Sequence, residues 1–231
     1  MSDIRLALFD LDGTLLDGDT DELWCEFLID EGVLERADFE ARNRSVVERY
    51  RAGTIGPAEF CAFYASTLKG RTAAGWAPLR ERFVASWVLP RIGAAARALP
   101  ERHREAGERV LLTTATNRFL TEPIAADLGF APEELIATEL AEADGVFTGA
   151  NTGVLNMREG KVARLRSWLE KSGLGAGGLE AATFYSDSAN DLPLLRAVRR
   201  AVAVDPDPTL RRAAEEAGWT ILALPRQGAA G

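Results

Sequence analysis

Residues 4–14, IRLALFDLDGT, decide the fold. A short apolar run over 4–10 stops at acidic residues and a glycine, as in a strand buried on both faces of a parallel sheet. Comparable runs recur at 109–115 (RVLLTTA), 182–187 (ATFYSD), 200–205 (RAVAVD) and 219–225 (WTILALP), with helical segments between several of them. Strands alternating with helices predict an α/β protein with a Rossmann-like parallel-sheet core. Segment 135–150 carries an Asp-Gly between short β-prone runs, which predicts a hairpin beside that sheet. Between the first two strands the chain reads as helices over 22–34, 39–53, 57–70 and 76–90, each with Gly or Pro near an end. The expected organisation is a core of residues 1–17 and 91–231 with a helical cap, residues 18–90, inserted after the first strand. Gly18 and Pro90 to Gly93 are the expected hinges. GLGAGG at 173–178 reads as a flexible loop and the tail at 225–231 as frayed.

The chain has 231 residues, enough for one large domain or two unequal ones against a prior of about 150 residues per domain. Hydrophobic residues make up 47% and charged residues 27%, which excludes disordered and coiled-coil chains. With 27 basic and 35 acidic residues the net charge is −8, so no basic surface is expected for nucleic acid or for an anionic membrane. The sequence nowhere approaches the roughly 20 apolar residues of a membrane span, and its start reads as a strand, so a cytoplasmic protein is expected. Cys25 and Cys61 are expected to be reduced core residues. His103, on a polar helix end, is expected at the surface, which disfavours histidine-based or zinc chemistry.

The chemistry is concentrated in carboxylates. Asp10 and Asp12 lie two apart at a strand end and therefore share a face, at the crevice where open α/β sheets bind ligands. Adjacent carboxylates repel, so they need a cation, a shared proton or different roles; the bland alternative is that Asp12 and Gly13 only build a turn. Asp187 follows another strand and Asp191 lies four residues on at a helix start, where helix capping is the alternative. Oxygen ligands from two strand ends suit Mg²⁺, which takes few carboxylates, several waters and a substrate phosphate.

These residues resemble the haloacid dehalogenase superfamily, whose opening signature Asp-x-Asp-Gly-Thr is matched by Asp10 to Thr14. The later motifs occur in order: Thr114 in LLTTATN, Lys161 in EGKVARL, and Asp187 to Asp191. The resemblance implies a Mg²⁺-dependent phosphohydrolase acting on a small phosphomonoester, with Asp10 as nucleophile and Asp12 as general acid and base. It implies that Thr114 and Lys161 donate to phosphoryl oxygens, and that Leu11, Ala115 and Asn190 contact the substrate. Thr113 or Thr116 replaces Thr114 if the register slips, and a solvated surface position is the alternative for Lys161. Asp10, Asp187 and the Asp12 carbonyl would hold the metal, with Asp191 as a direct, water-mediated or outer partner.

The helical insertion resembles the cap of the superfamily's phosphoserine-phosphatase-like branch. There an acidic residue nine positions after the nucleophile, here Asp19, reads the substrate amine; equally, Asp19 and Glu22 fit a capping box. The cap segment PAEFCAFYAST has no arginine for a serine carboxylate, which argues against phosphoserine. Phe60, Phe63 and Tyr64 in that segment read as bundle core before substrate wall. The strings LALFDLDGTLLDGDTD, TATNRF and FYSDSANDLPLL resemble bacterial histidinol-phosphate phosphatases, so a cationic leaving group near Asp17, Asp19, Asp21 and Glu22 is the leading expectation. The competing readings are a phosphotransferase or mutase on the same scaffold and a non-catalytic phospholigand-binding module.

Overall fold

The computed structural model describes residues 5–175 and 177–225. Strand β1 (Leu6–Phe9) is followed by helices α1 (Thr20–Asp30), α2 (Arg36–Arg51), α3 (Pro57–Ala65), α4 (Ala73–Phe83) and α5 (Ala94–Glu105). Then come β2 (Arg109–Asn117), α6 (Arg118–Asp127), β3 (Leu135–Ala143), β4 (Val146–Thr152), α7 (Glu159–Lys171) and the short α8 (Gly177–Glu180). The chain ends with β5 (Thr183–Ser186), α9 (Leu192–Leu195), β6 (Arg200–Val204), α10 (Pro208–Ala217) and β7 (Thr220–Leu222). The sheet order is β4-β3-β2-β1-β5-β6-β7, parallel throughout except for β3 with β4. The expected α/β class is therefore observed. From β1 the sheet grows through β2 on one side and through β5 on the other, which makes the carboxyl end of β1 the switch point where the crevice opens.

Local chemistry sets the boundaries. Helix α1 begins two residues before the expected start because Asp19, in extended conformation, caps it by accepting from the Glu22 N–H. Glu35 does the same for α2, which starts at Arg36. Helix α4 runs on through a π-helical turn over 84–88 and a 3₁₀ turn over 89–91. The hairpin forms at Asp144-Gly145, whose φ values of 51° and 75° meet the demand of a tight hairpin turn for two left-handed residues. In the Gly-rich stretch, residues 177–180 form a helical turn where a loop was expected, while Ala176 lies outside the described residues. So do Ile4 of the expected first strand and residues 226–231 of the expected tail.

Strand alternation sends Ala7 and Phe9 to one face and Leu6 and Leu8 to the other. The first face packs against α1 and α4: Trp24, Phe27, Trp76 and Phe83 form an aromatic nest continuous with Phe9, Leu112 and Leu120. The second face is covered by Leu165 and Leu169 of α7 and Leu210 of α10. A separate small cluster, Cys25, Phe39 and Tyr64 with Phe60 and Phe63 against it, joins α1, α2 and α3.

His103 is not the surface residue expected. Ala96, Leu99, Pro100 and His103 recur at helical spacing on the inner side of α5, so His103 turns toward the sheet and packs edge-on against Phe9 at 5.6 Å. Its ring nitrogens meet Glu108 at 2.6 Å and the Tyr185 hydroxyl at 2.8 Å. Both cysteines are free; Cys25 is buried as expected, but Cys61 is only partly so and lines a cavity. No helix among the described residues is long and apolar enough to cross a membrane.

Because α1 and α4 share one apolar cluster with the sheet, the Phe83→Ala variant should lose about 3–5 kcal/mol of stability. Urea unfolding followed by far-UV circular dichroism and tryptophan fluorescence should give one coincident transition shifted to lower urea.

Candidate active site

A cavity of about 460 Å³ opens at the carboxyl ends of β1, β2 and β5, roofed by the helices that follow β1. From the sheet side its wall takes Asp10, Asp12, Gly13, Ala115, Thr116, Lys161, Asp187, Ser188, Asn190 and Asp191. From the helical side it takes Asp19, Asp21, Glu22, Tyr50, Phe60 and Cys61.

At its floor the buried Lys161 Nζ lies 2.7 Å from Asp10 Oδ1 and 2.7 Å from Asp191 Oδ2. Lys161 belongs to the first turn of α7, which is why a lysine that could have been solvated points inward. Burial works against its charge, but the two carboxylates outweigh that and raise its pKa. Asp10 is pushed well above the ordinary carboxylate range by burial, with Lys161 opposing and the neighbouring Asp191, Asp187 and Asp12 charges adding to the rise. Asp191 Oδ2 also accepts from Ser186 Oγ at 2.7 Å, so its carboxylate holds the lysine from behind.

Asp12 is fixed on both oxygens. Oδ1 accepts from the Thr20 N–H at 2.7 Å and from the Thr20 hydroxyl; Oδ2 accepts from Thr116 Oγ1 at 2.9 Å and from Thr114 Oγ1 at 3.3 Å. The carboxylate thus lies at the N-terminus of α1, where the helix dipole favours negative charge. Of the candidate threonines, Thr114 is fully buried and Thr116 faces the cavity. Leu11 is buried in the apolar core, its carbonyl accepting the turn bonds of Leu15 and Leu16, and is not among the lining residues.

Asp187 and Thr14 lock each other. The Thr14 hydroxyl donates to Asp187 Oδ1 at 3.1 Å and accepts from the Asp187 N–H at 3.0 Å. Burial raises the Asp187 pKa to about 6 against the bond from Thr14. Gly13 between the two Asp-bearing turns is obligatory: its φ is 72° and a Cβ there would lie 2.1 Å from Asp187 Oδ2.

The buried Asp10 and half-buried Asp187 carboxylates, beside the Asp12 backbone, form an all-oxygen donor set with excess negative charge, which fits Mg²⁺. Among the described residues no three His, Cys, Asp or Glu side chains form a ready-made metal cage. Mg²⁺ calls for none, since it keeps waters and takes a substrate phosphate.

The helical wall is acidic as well. Asp19 is exposed on the cavity wall, and the desolvation it meets there, reinforced by Asp12 and Asp21, pushes its pKa up. It caps α1 and lines the cavity at once. Asp21 is raised to about 7, chiefly by burial and then by Asp12, with the Thr116 hydroxyl 3.5 Å away opposing. Asn190 Oδ1 accepts from Tyr50 OH at 3.2 Å and from Arg158 Nε at 3.1 Å, joining α2 to the sheet side.

Tyr50, Cys61 and Met157 carried no signal in the sequence: each is a single residue on a helix or loop whose facing partner lies about a hundred positions away. All three aromatics read as bundle core pack there, and Phe60 also stacks on Tyr50 at 4.4 Å and lines the cavity.

Residues 7–196 match the family model of the haloacid dehalogenase-like hydrolases. The chain is 36% identical over 219 residues to histidinol-phosphatase of Neisseria meningitidis serogroup C (strain 8013), covering 94% of this chain and 98% of that one. A solved protein of unknown function from Bordetella pertussis Tohama I shares 39% identity with a TM-score of 0.88, covering 95% and 98% of the two chains. A substrate-bound phosphoserine phosphatase shares the fold at 19% identity, with a TM-score of 0.68 over 95% of this chain and 92% of that one.

Removing the buried cation should be costly. The Lys161→Met variant leaves Asp10 and Asp191 facing each other without it, and is expected to lose about 3–5 kcal/mol at neutral pH. Burial raises the Asp10 pKa and Lys161 opposes that rise, so without the lysine the fold is most stable with Asp10 protonated, and in metal-free buffer the deficit should grow as pH rises from 5 to 8. Denaturant titrations of both proteins across that range measure it.

Proposed function

Given that the chain belongs to the haloacid dehalogenase-like hydrolases, we propose that it hydrolyses a small phosphomonoester with a cationic leaving group, histidinol phosphate first among candidates. The phosphoryl group is carried in passing on Asp10, and Mg²⁺ is the cofactor. The observation that carries this reading is the placement of Asp10 at the cavity floor against Lys161, with Asp12 held on both oxygens beside it. Phosphatase activity accords with the named relative; the steps, the metal and the substrate are our reading of the site.

An Asp10 carboxylate oxygen attacks phosphorus while the bond to the leaving oxygen breaks, and Asp12 gives that oxygen its proton. Asp12 then takes a proton from water, whose oxygen attacks phosphorus and releases inorganic phosphate and Asp10. Lys161, which has a third N–H beyond those given to Asp10 and Asp191, faces the phosphoryl oxygens and offsets their spreading charge, and the Thr116 hydroxyl joins it when it turns from Asp12 toward them. Asp10, Asp187 and the Asp12 carbonyl would hold Mg²⁺, which when bound neutralises phosphate charge.

The segment 18–90 supplies Asp19, Asp21, Glu22, Tyr50 and Phe60 to the cavity, which supports its reading as a substrate-selecting cap. Its carboxylates favour a positively charged leaving group by complementarity, and the similarity to histidinol-phosphatase points the same way.

Phosphate release from a panel including histidinol phosphate and phosphoserine should require Mg²⁺, stop with EDTA, and fall on the order of 10³-fold or more in Asp10→Asn. A wild type that releases phosphate from none of them sinks the proposal. Specificity should also track the charge of the helical wall. Asp21 ionises as pH rises through about 7, so the kcat/KM ratio of phosphocholine over glycerol phosphate should climb between pH 6 and 8 and flatten in Asp21→Asn. An unchanged ratio in both Asp19→Asn and Asp21→Asn would falsify the cationic-leaving-group reading.

A further inference from the structure

We propose that Asn156 is a positioning residue that holds the phosphate-facing end of β2 and the approach to Lys161 in one register; this rests on the phosphatase reading above. Strands β2 and β3 pair at Leu112 with Leu135 and Thr113 with Ile136, then resume only at Asn117 with Thr138. Four steps along β2 thus face two along β3. The surplus is a bulge, the device by which a strand re-aims its side chains, and it carries Ala115 and Thr116 to the cavity wall.

Opening a parallel ladder in a buried place strands backbone acceptors, and one side chain takes them up. Asn156 is wholly buried, and its Nδ2 lies 2.9 Å from the Thr114 carbonyl, 2.8 Å from the Ile136 carbonyl and 2.9 Å from Thr113 Oγ1, so its two hydrogens are shared among three acceptors. Its own N–H donates to Thr138 Oγ1 at 3.1 Å. Both strands are therefore pinned on either side of the gap by one residue. Among short side chains only an amide brings two N–H bonds on one atom to such a point. The Asn156 Oδ1 is buried with no hydrogen-bond partner among the described residues, so the group is held there for its donors.

The path of the chain from Asn156 to Lys161 is why the clamp reaches the chemistry. Met157 lines the cavity, Arg158 has a φ of 52°, and a Cβ on Gly160 would lie 1.9 Å from the Leu155 carbonyl oxygen. The chain is thus tightly folded from Leu155 to Lys161 and transmits the position of Asn156 to the lysine that meets Asp10. Thr116, which orients Asp12, hangs from the other side of the same clamp.

The test uses the full-length protein with Mg²⁺ and two variants, Asn156→Ala and the isosteric Asn156→Asp. Kinetics are measured well below each variant's Tm, beside calorimetric binding of inorganic phosphate. A misplaced Thr116 and Lys161 should lower kcat on the order of 10²-fold and weaken phosphate binding, with KM moving less. In Asn156→Asp, kcat relative to wild type should climb as pH falls, because only the protonated carboxyl can donate to Thr114 or Ile136; this readout stands even where Asn156→Ala does not fold. A lowered Tm with kcat of the folded variants within about threefold of wild type, and no pH-dependent recovery, overturns the positioning role while leaving the phosphatase reading intact. A wild type that neither releases nor binds phosphate overturns the phosphatase reading and this proposal with it.

Discussion

The ion cluster of Lys161 with Asp10 and Asp191 is the constraint on which the rest of the site depends. It ties the end of β1 to the first turn of α7 and to the turn after β5, segments separated by 151 and 30 positions, through two contacts of 2.7 Å. A buried ammonium costs several kcal/mol to desolvate, and two carboxylates at hydrogen-bond distance are what make its burial tolerable. The same cluster leaves a surplus of negative charge, because Asp12 and Asp187 stand beside it without a lysine of their own. The fold thus holds carboxylates close enough to repel, and the proposed Mg²⁺ would relieve that repulsion without filling the cavity.

The two sides of the cavity are held by unequal forces. Helices α1 and α4 are fused to the sheet through Trp24, Phe27, Trp76 and Phe83, large side chains whose burial contributes about 1.5–3 kcal/mol each. Helices α2 and α3 have a small cluster of their own, and near the cavity they meet the sheet side through the Tyr50–Asn190 bond and the sulfur contacts of Met157 with Cys61 and Tyr50. A net hydrogen bond contributes about 1 kcal/mol, so these contacts hold α2 more weakly than the aromatic nest holds α1 and α4, while α3 also packs along β4. Asp19, Asp21 and Glu22 belong to the fused part, which fixes the acidic wall relative to Asp10. Tyr50, Phe60 and Cys61 belong to the other.

Most of the fold was legible because its signals are local. Apolar runs ending at Asp or Thr marked the strands, and Asp144-Gly145 marked the hairpin turn. The candidate site was legible for the same reason: Asp10, Asp12, Lys161, Asp187 and Asn190 stand in short motifs, and the structure brings them to one cavity. What was not legible depends on distant partners. His103 looks polar until its spacing from Ala96 and Leu99 is set against the sheet. The choice among Thr113, Thr114 and Thr116 turns on a bulge that only pairing with β3 creates. Asn156 sits in VLNMREG with no motif around it, and its importance comes from carbonyls on two other strands.

An acidic cavity in a chain of net charge −8 is a poor host for a phosphate dianion unless the charges are segregated, and here they are. At the floor Lys161 supplies positive charge and Thr116 a hydroxyl donor, against carboxylates suited to hold a metal. At the helical wall Asp19, Asp21 and Glu22 offer acceptors. A phosphomonoester entering with its phosphate toward the wall meets repulsion, and one entering with its phosphate toward the floor meets attraction. The polarity of the cavity therefore orients the substrate before any specific contact is made. Since Asp12 hydrogen-bonds Thr20 at the start of α1 on one oxygen and Thr116 on the other, the proposed proton donor stands where these two regions meet, between the end that attracts a phosphate and the end that attracts a cation.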